Sequence, residues 1–290
     1  MTRVREAATL ILVDDRPDLH VFMLRRNPRS VFGPGAFVFP GGAIDPADSD
    51  DAATTRVLGL DDREASARLG LPSGGLRVWI GALREAFEEA GILLASRDAD
   101  RGGDPADAAA DLAAARVALN AAALSFADVL SQRGLVLDVG EVFLFAHWLT
   151  PEGAPRRYDT WFLLAPAPRG QEGSHDDAEL VHSEWVRPSD ALARYASGDL
   201  DLIFPTLRTL RVLASFPTAA ALLDEVRTAN AASDRPPLVV ADASGCHIAL
   251  GSDDGATAVR GWPVLTSKPE VDVAALLAED RALARRQGVA

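Results

Sequence analysis

Two stretches near the amino-terminal end, residues 7–13 (AATLILV) and 19–25 (LHVFMLR), are dense in large apolar side chains and are separated by Asp14-Asp15-Arg16-Pro17-Asp18. They predict two strands joined as a hairpin, because Asp and Pro interrupt a ladder and favour a turn. A Gly- and Pro-rich stretch follows, with one short strand around 36–39. Residues 49–76 are polar and Ala-rich and end in Ser73-Gly74-Gly75, which predicts an inserted segment with one helix over 61–69. From 77 to 96 the period changes. Trp79, Leu83, Phe87, Ala90 and Leu94 recur at three- and four-residue spacing, the mark of a helix with one apolar stripe. Residues 104–134 are also helical in pattern, with Leu112, Val117, Leu119 and Leu124 as apolar positions. Strands are predicted at 141–149, 158–165 and near 184–186, with a loop at 167–179. Helices are predicted at 188–195, with Ser189 as N-cap, and at 205–228, with Pro205 in the first turn. Beyond 229 the pattern suggests short strands around 238–241 and 247–250 and a last helix near 271–286.

Composition narrows this picture. The 290 residues are 48% hydrophobic, enough for one large domain or one domain with additions. The formal charge of −13 argues against general affinity for nucleic-acid backbones, which call for stripes of Lys and Arg. It leaves room for a small anionic substrate, since a local Arg cluster or a metal ion reverses the field at one place. The single cysteine, Cys246, excludes an intramolecular disulfide, and nothing near it reads as an activating base. No apolar run reaches the roughly 20 residues needed to span a bilayer. The expected location is the cytoplasm.

The stretch that carries chemistry is Arg84-Glu85-Ala86-Phe87-Glu88-Glu89-Ala90-Gly91-Ile92. On a helix Glu85 neighbours both Glu88 and Glu89, so three carboxylates gather on one side while Leu83, Phe87 and Ala90 lie on another. Clustered like charges repel, and a hard divalent cation such as Mg²⁺ or Mn²⁺ offsets that repulsion while also taking up substrate phosphate oxygens. Upstream, Phe39-Pro40-Gly41-Gly42 supplies glycines that permit tight backbone geometry beside a ligand or metal.

These residues resemble the signature of the Nudix hydrolases: Gly, five residues, Glu, seven residues, then Arg-Glu-U-x-Glu-Glu-x-Gly-U, with U a bulky aliphatic residue. Gly42 fits the first glycine and Asp48 stands where the family has its first Glu. Arg84, Glu85, Glu88, Glu89, Gly91 and Ile92 fit the second half. A chance match to that half in a chain of this length is roughly 3 in 10,000 on average composition, so the resemblance carries weight. Two departures stand out. The gap between Asp48 and Arg84 is 35 residues where the signature has seven, and Ala86 replaces a larger aliphatic. An interrupted signature of this kind marks the Nudix 19-like subgroup, whose activity is coenzyme A diphosphatase. Leu24-Arg25-Arg26, Arg29-Ser30, Phe32, the run Phe37 to Gly42, and Thr150-Pro151 followed by Arg156-Arg157-Tyr158-Asp159-Thr160 are similar to that subgroup too. The likeness covers roughly residues 5–215.

The resemblance implies an α/β/α sandwich around a mixed sheet in residues 1–230. A helical insertion at 49–83 would interrupt the signature, and a carboxyl-terminal extension, 231–290, would pack on the same domain. It implies metal binding by Glu85, Glu88 and Glu89, with Arg84 orienting one of these carboxylates and Glu179 acting as base or extra ligand. Arg25, Arg26, Gly41, Gly42 and Arg157 are the expected substrate contacts. The implied reaction is metal-dependent hydrolysis of a diphosphate bond in coenzyme A or acyl-coenzyme A. NADH, ADP-ribose and nucleoside triphosphates are alternative substrates, and a non-catalytic nucleotide-binding module is an alternative of another kind. Such a module is expected to lose the acidic trio, which is intact here. The expected partner is a small nucleotide-derived molecule, with neither nucleic acid nor membrane; relatives of this kind commonly pair, which leaves a homodimer open.

Overall fold

Strand β1 (Val4–Asp15) turns back into β2 (Leu19–Arg26), with Val13 opposite Val21 and Asp15 opposite Leu19, so the predicted hairpin is present. The computed structural model describes residues 4–30, 33–97, 105–150, 157–232, 238–242 and 245–249. β3 (Phe37–Val38) pairs with β2 and β4 (Gly41–Ala43) pairs with the first half of β1, placing Gly42 opposite Ala8. A single 3₁₀ turn (Pro46–Ser49), α1 (Asp51–Thr54), β5 (Val57–Leu58) and α2 (Asp62–Leu69) lead into α3 (Leu76–Ala90). Then follow β6 (Ala95–Arg97), α4 (Pro105–Asn120), α5 (Phe126–Arg133), β7 (Leu135–Asp138), β8 (Phe143–Leu149), β9 (Arg157–Pro166), β10 (Leu180–Val186), α6 (Pro188–Ser197), α7 (Phe204–Leu213), α8 (Ala219–Ala232), β11 (Leu238–Asp242) and β12 (Gly245–Ala249).

The main sheet runs β10-β2-β1-β9-β8-β11-β12, with β3 and β4 attached to β2 and β1. It is mixed: β1 pairs with β9, and β8 with β11, in parallel, while the other pairs are antiparallel. Successive side chains on a strand point to opposite faces, and both faces of this sheet are covered. Ala8, Leu10 and Leu12 of β1 and Trp161, Leu163 and Ala165 of β9 join a core with α3. Ile11, Val13, Phe162 and Leu164 join a second core with Ala191, Leu207, Leu210, Leu222 and Val226 of α6, α7 and α8. The result is an α/β/α arrangement. Among the described residues no helix is long and apolar enough to cross a membrane.

Several boundaries differ from the sequence expectation, each for a local reason. The helix predicted over 77–96 stops at Gly91, which takes the left-handed conformation (φ 68°) that glycine adopts without a Cβ penalty, and β6 follows. The helical stretch 104–134 is two helices, because Ser125 starts α5 with a reciprocal capping box to Asp128. The predicted helix 205–228 is also two. Pro217 lacks the N–H that an unbroken helix needs there, and its carbonyl accepts instead from Leu19 N–H at 3.3 Å. Arg187, not Ser189, is the N-cap of α6, with Pro188 in the first turn. β7 has no counterpart in the prediction; it joins β5 and β6 in a separate three-stranded sheet. Of the stretch 49–83 read as an insertion, residues 76–83 are the opening two turns of α3 itself. The helix predicted at 271–286 and Arg156 lie outside the described residues, as does the side chain of Cys246.

Candidate active site

α3 is a buried helix. Val78, Trp79, Ile80, Leu83, Ala86 and Phe87 are all at most 1% exposed, and Trp79 Nε1 donates to Val142 O at 3.0 Å. That packing presses the helix against β1 and β4 and brings its acidic residues onto the two glycines of β4. Glu89 Oε2 accepts from Gly41 N–H at 2.8 Å. A Cβ on Gly42 would stand 2.6 Å from the Glu85 carboxylate, and one on Gly41 would stand 2.5 Å from Ala8 O. The glycines are therefore required by close approach on both sides, the helix carboxylate on one and the β1 backbone on the other.

Arg84 is the hub of the cluster. It grips Asp48 with two bonds, Nε to Oδ1 at 2.8 Å and Nη2 to Oδ2 at 3.1 Å. Its Nη1 donates to Glu85 and to Glu88, each at 2.9 Å, and Nη2 also donates to Ala43 O at 2.9 Å. Asp48 is buried and also accepts from Asp45 N–H at 2.8 Å, closing the 3₁₀ turn in which it sits. A planar guanidinium suits this multiple grip in a way an ammonium does not.

The charges on this cluster are unbalanced. Burial pushes the Glu85 carboxyl up to about 7 against the opposing pull of Arg84. Burial likewise raises Glu88, again opposed by Arg84. Glu89 is raised well above the usual carboxylate range by burial first and by Glu85 second, with the Gly41 N–H working the other way. Burial on its own would lower Arg84, yet its bonds to Asp48 and the charges of Glu85, Asp48 and Glu88 hold it above the ordinary arginine range, so it stays a cation. One guanidinium thus faces Asp48, Glu85 and Glu88, with Glu89 beside them. Desolvated carboxylates short of positive charge fit a hard divalent cation, whose preferred donors are carboxylate oxygens. Among the described residues, no three acidic, His or Cys side chains already converge as in a filled metal site. Arg84 engages Glu85 and Glu88, and Gly41 engages Glu89.

The remaining expected residues divide. Glu179 directly precedes β10, and its carboxylate pairs closely with Arg26 Nη2, while its carbonyl accepts from Asn27 N–H at 2.8 Å. Both Arg26 and Glu179 act electrostatically on Glu89, so the pair lies within charge range of the cluster. Arg25, the neighbour of Arg26 on β2, faces the other side of the sheet and donates to Gly35 O at 3.3 Å. Arg157 stands at the start of β9 beside Val4, four residues along β1 from the Ala8–Gly42 pair, roughly 13 Å at the usual strand rise. It donates to Thr150 O at 3.2 Å. Neither Arg25 nor Arg157 is brought to the carboxylates. His175 pairs with Asp177 at 3.0 Å, and His182 lies 3.9 Å from Glu184. Residues that sequence reasoning missed also converge here. Gln171 clamps Leu93 through both its N–H (2.8 Å) and its carbonyl (3.0 Å), and Arg116 and Asn120 of α4 reach the end of α3. An Ala-rich helix containing one arginine carries no signal for that.

A family profile described as the NUDT19 Nudix domain matches residues 49–213, more than half of the chain. The chain is 30% identical over 264 residues to a chicken (Gallus gallus) protein named acyl-coenzyme A diphosphatase NUDT19, covering 73% of this chain and 68% of that one. It is 28% identical over 268 residues to the human (Homo sapiens) protein of the same name, covering 76% and 71%. Among solved structures, a Nudix hydrolase from Alicyclobacillus acidocaldarius superposes with a TM-score of 0.58 at 32% identity, over 77% of this chain and 97% of that one. With the helix-borne Glu85, Glu88 and Glu89 packed on the Gly41-Gly42 turn, these matches show that the chain belongs to the Nudix hydrolase family, in the division of the NUDT19 Nudix domain.

Proposed function

We propose that this chain hydrolyses the diphosphate bond of coenzyme A or an acyl-coenzyme A, with Mg²⁺ or Mn²⁺ held by Glu85, Glu88 and Glu89. The observation that carries the reaction is the largely desolvated, charge-deficient acidic cluster on α3, with Glu89 buried and Glu85 and Glu88 half-buried. The substrate rests on the name shared by the chicken and human relatives. When bound, a divalent cation supplies charge neutralisation at the diphosphate oxygens and lowers the pKa of an attacking water. The protein's own groups do the rest. Arg84, anchored on Asp48, holds Glu85 and Glu88 in place, and the Gly41 N–H holds Glu89. Glu179, oriented by Arg26, is the nearby acid best suited to accept the proton of the attacking water. Arg26, paired with Glu179 and acting on Glu89, is the cation available to substrate phosphate beside the cluster. The single cysteine supports action in a reducing compartment such as the cytoplasm.

Mass analysis of products tests this. The protein and its Glu88→Gln/Glu89→Gln variant are incubated with coenzyme A, acetyl-coenzyme A, NADH and ADP-ribose, each with Mg²⁺ or Mn²⁺. The expected result is adenosine 3′,5′-bisphosphate plus phosphopantetheine, or its acyl form, from wild type alone. Turnover of NADH or ADP-ribose in place of the coenzyme A compounds would move the substrate assignment. Equal turnover by the variant would remove the site.

A further inference from the structure

Arg116 projects from α4 onto the carboxyl-terminal end of α3. Its Nε donates to Glu88 O at 2.9 Å and its Nη2 to Glu89 O at 2.6 Å. Asn120, one turn further along α4, adds a bond from Nδ2 to Glu88 O at 3.1 Å. The third arm of the guanidinium, Nη1, donates to Ser174 Oγ at 3.2 Å, and Ser174 N–H in turn donates to Ala90 O at 2.9 Å. The last carbonyls of a helix have no partner inside it and carry partial negative charge. Here three consecutive carbonyls, those of Glu88, Glu89 and Ala90, are taken up by one arginine, one asparagine and one loop backbone.

Two of those carbonyls belong to proposed metal-holding residues. A planar fork bonded to consecutive carbonyls fixes the rotation of the peptide planes, and that rotation sets where the Glu88 and Glu89 side chains leave the helix. The same guanidinium touches the loop that runs on to Glu179, and Gln171 pins the start of that loop to Leu93. Arg116 therefore sits at the joint between the two segments that bring acids to the site.

We infer that Arg116 is a positioning residue of the active site: it holds the final turn of α3 in the rotation that presents Glu88 and Glu89, and holds the Ser174 loop in register with that turn. The inference rests on the reading of the cluster as a divalent-cation site. A plain tether between helices is the competing role, and Arg133 provides the control. Its guanidinium pairs with Asp111, at 2.9 and 3.0 Å, fastening α5 to α4 without touching Glu88 or Glu89.

The test is Mn²⁺ binding to the full chain without substrate, followed by the electron paramagnetic resonance of free Mn²⁺. Wild type, R116K, R116A, R133A and Glu88→Gln/Glu89→Gln are compared, with melting temperatures taken in parallel. R116A is expected to weaken Mn²⁺ binding about tenfold or more, as loss of an outer partner of a metal ligand commonly does. R116K is expected to recover only part of this, since an ammonium lacks the fork, and R133A to keep wild-type affinity even where its melting temperature falls. In turnover, R116A is expected to lower kcat more than it raises KM. Wild-type Mn²⁺ affinity in R116A, or equal weakening in R133A, would overturn the inference. Mn²⁺ binding that is indifferent to Glu88 and Glu89 would instead bring down the reading of the cluster, and the inference with it. Mn²⁺ binding without coenzyme A turnover would remove the substrate alone, and the titration would still decide the role of Arg116.

Discussion

At the scale of single residues, the site is governed by distances that leave no room for a methyl group. Gly42 lies directly under the Glu85 carboxylate, and a methyl carbon at that position would sit 2.6 Å from the nearest carboxylate atoms. Glu85 has little freedom to retreat, because Arg84 holds it at 2.9 Å and is itself fixed by the buried Asp48. Gly42→Ala is therefore expected to push Glu85 out of place and lower kcat/KM about a hundredfold, the scale of loss that follows a misplacement of about 1 Å. Steady-state turnover beside circular dichroism checks this: unchanged turnover with an unchanged spectrum would show that the close approach of Gly42 to Glu85 does not matter for the reaction. The clustering of Arg84 with the three glutamates was readable in sequence because they lie within six residues on one helix. Asp48 was readable only as the occupant of a signature position. Its two-pronged grip on Arg84 spans 36 positions and comes from folding.

At the scale of elements, the segment inserted in the signature docks on the start of the helix that follows it. Gly75 N–H donates to Ser66 Oγ at 2.8 Å, and Asp62 accepts from the N–H groups of Gly74 and Leu76 at 2.9 and 3.0 Å. α2 is thus stitched to the start of α3. A Cβ on Gly75 would lie 2.4 Å from Ser66 N, a backbone atom that cannot swing aside. Gly75→Ala is expected to destabilise the fold by about 1–3 kcal/mol, the usual cost of overpacking, measured by urea denaturation. A wild-type midpoint would mean that the α2–α3 junction is loose. The Ser73-Gly74-Gly75 stretch was visible in sequence as a break before the helix. Its function as a seat for another helix was not, because a glycine shows no sign of what approaches it.

For the molecule as a whole, these buried and half-buried acids are expected to make stability depend on pH and on metal. Glu85, Glu88 and Glu89 all have carboxyls raised in the folded state, by burial before any other cause. The folded protein therefore holds their protons more tightly than the unfolded chain. The resulting stability is fully present below the unfolded carboxylate range and is lost as pH rises through the folded values, about 7 for Glu85. The metal-free melting temperature is expected to fall between about pH 5 and about pH 8, less so in Glu85→Gln. Saturating Mg²⁺ is expected to raise it, more at the upper end, where protons no longer compete for the carboxylates. Differential scanning fluorimetry reads both. A midpoint indifferent to Mg²⁺ at every pH would argue against a divalent site.

Residue order alone was enough to point to the family, the acid-bearing helix and most strands, because these depend on local periodicity and on a motif confined to a few turns. Folding settled what depends on approach between distant segments. It broke the helices at Gly91, Ser125 and Pro217, joined Asp48 to Arg84, and set Glu179 with Arg26 beside Glu89. It turned Arg25 to the opposite face of the sheet and left Arg157 at the far end of β9. It also brought Arg116 from an Ala-rich helix onto the carbonyls of Glu88 and Glu89. The physical reason is the same in each case: hydrogen-bond geometry and desolvation act between atoms that the chain brings together only on folding, and neither is written in the spacing of residues along it.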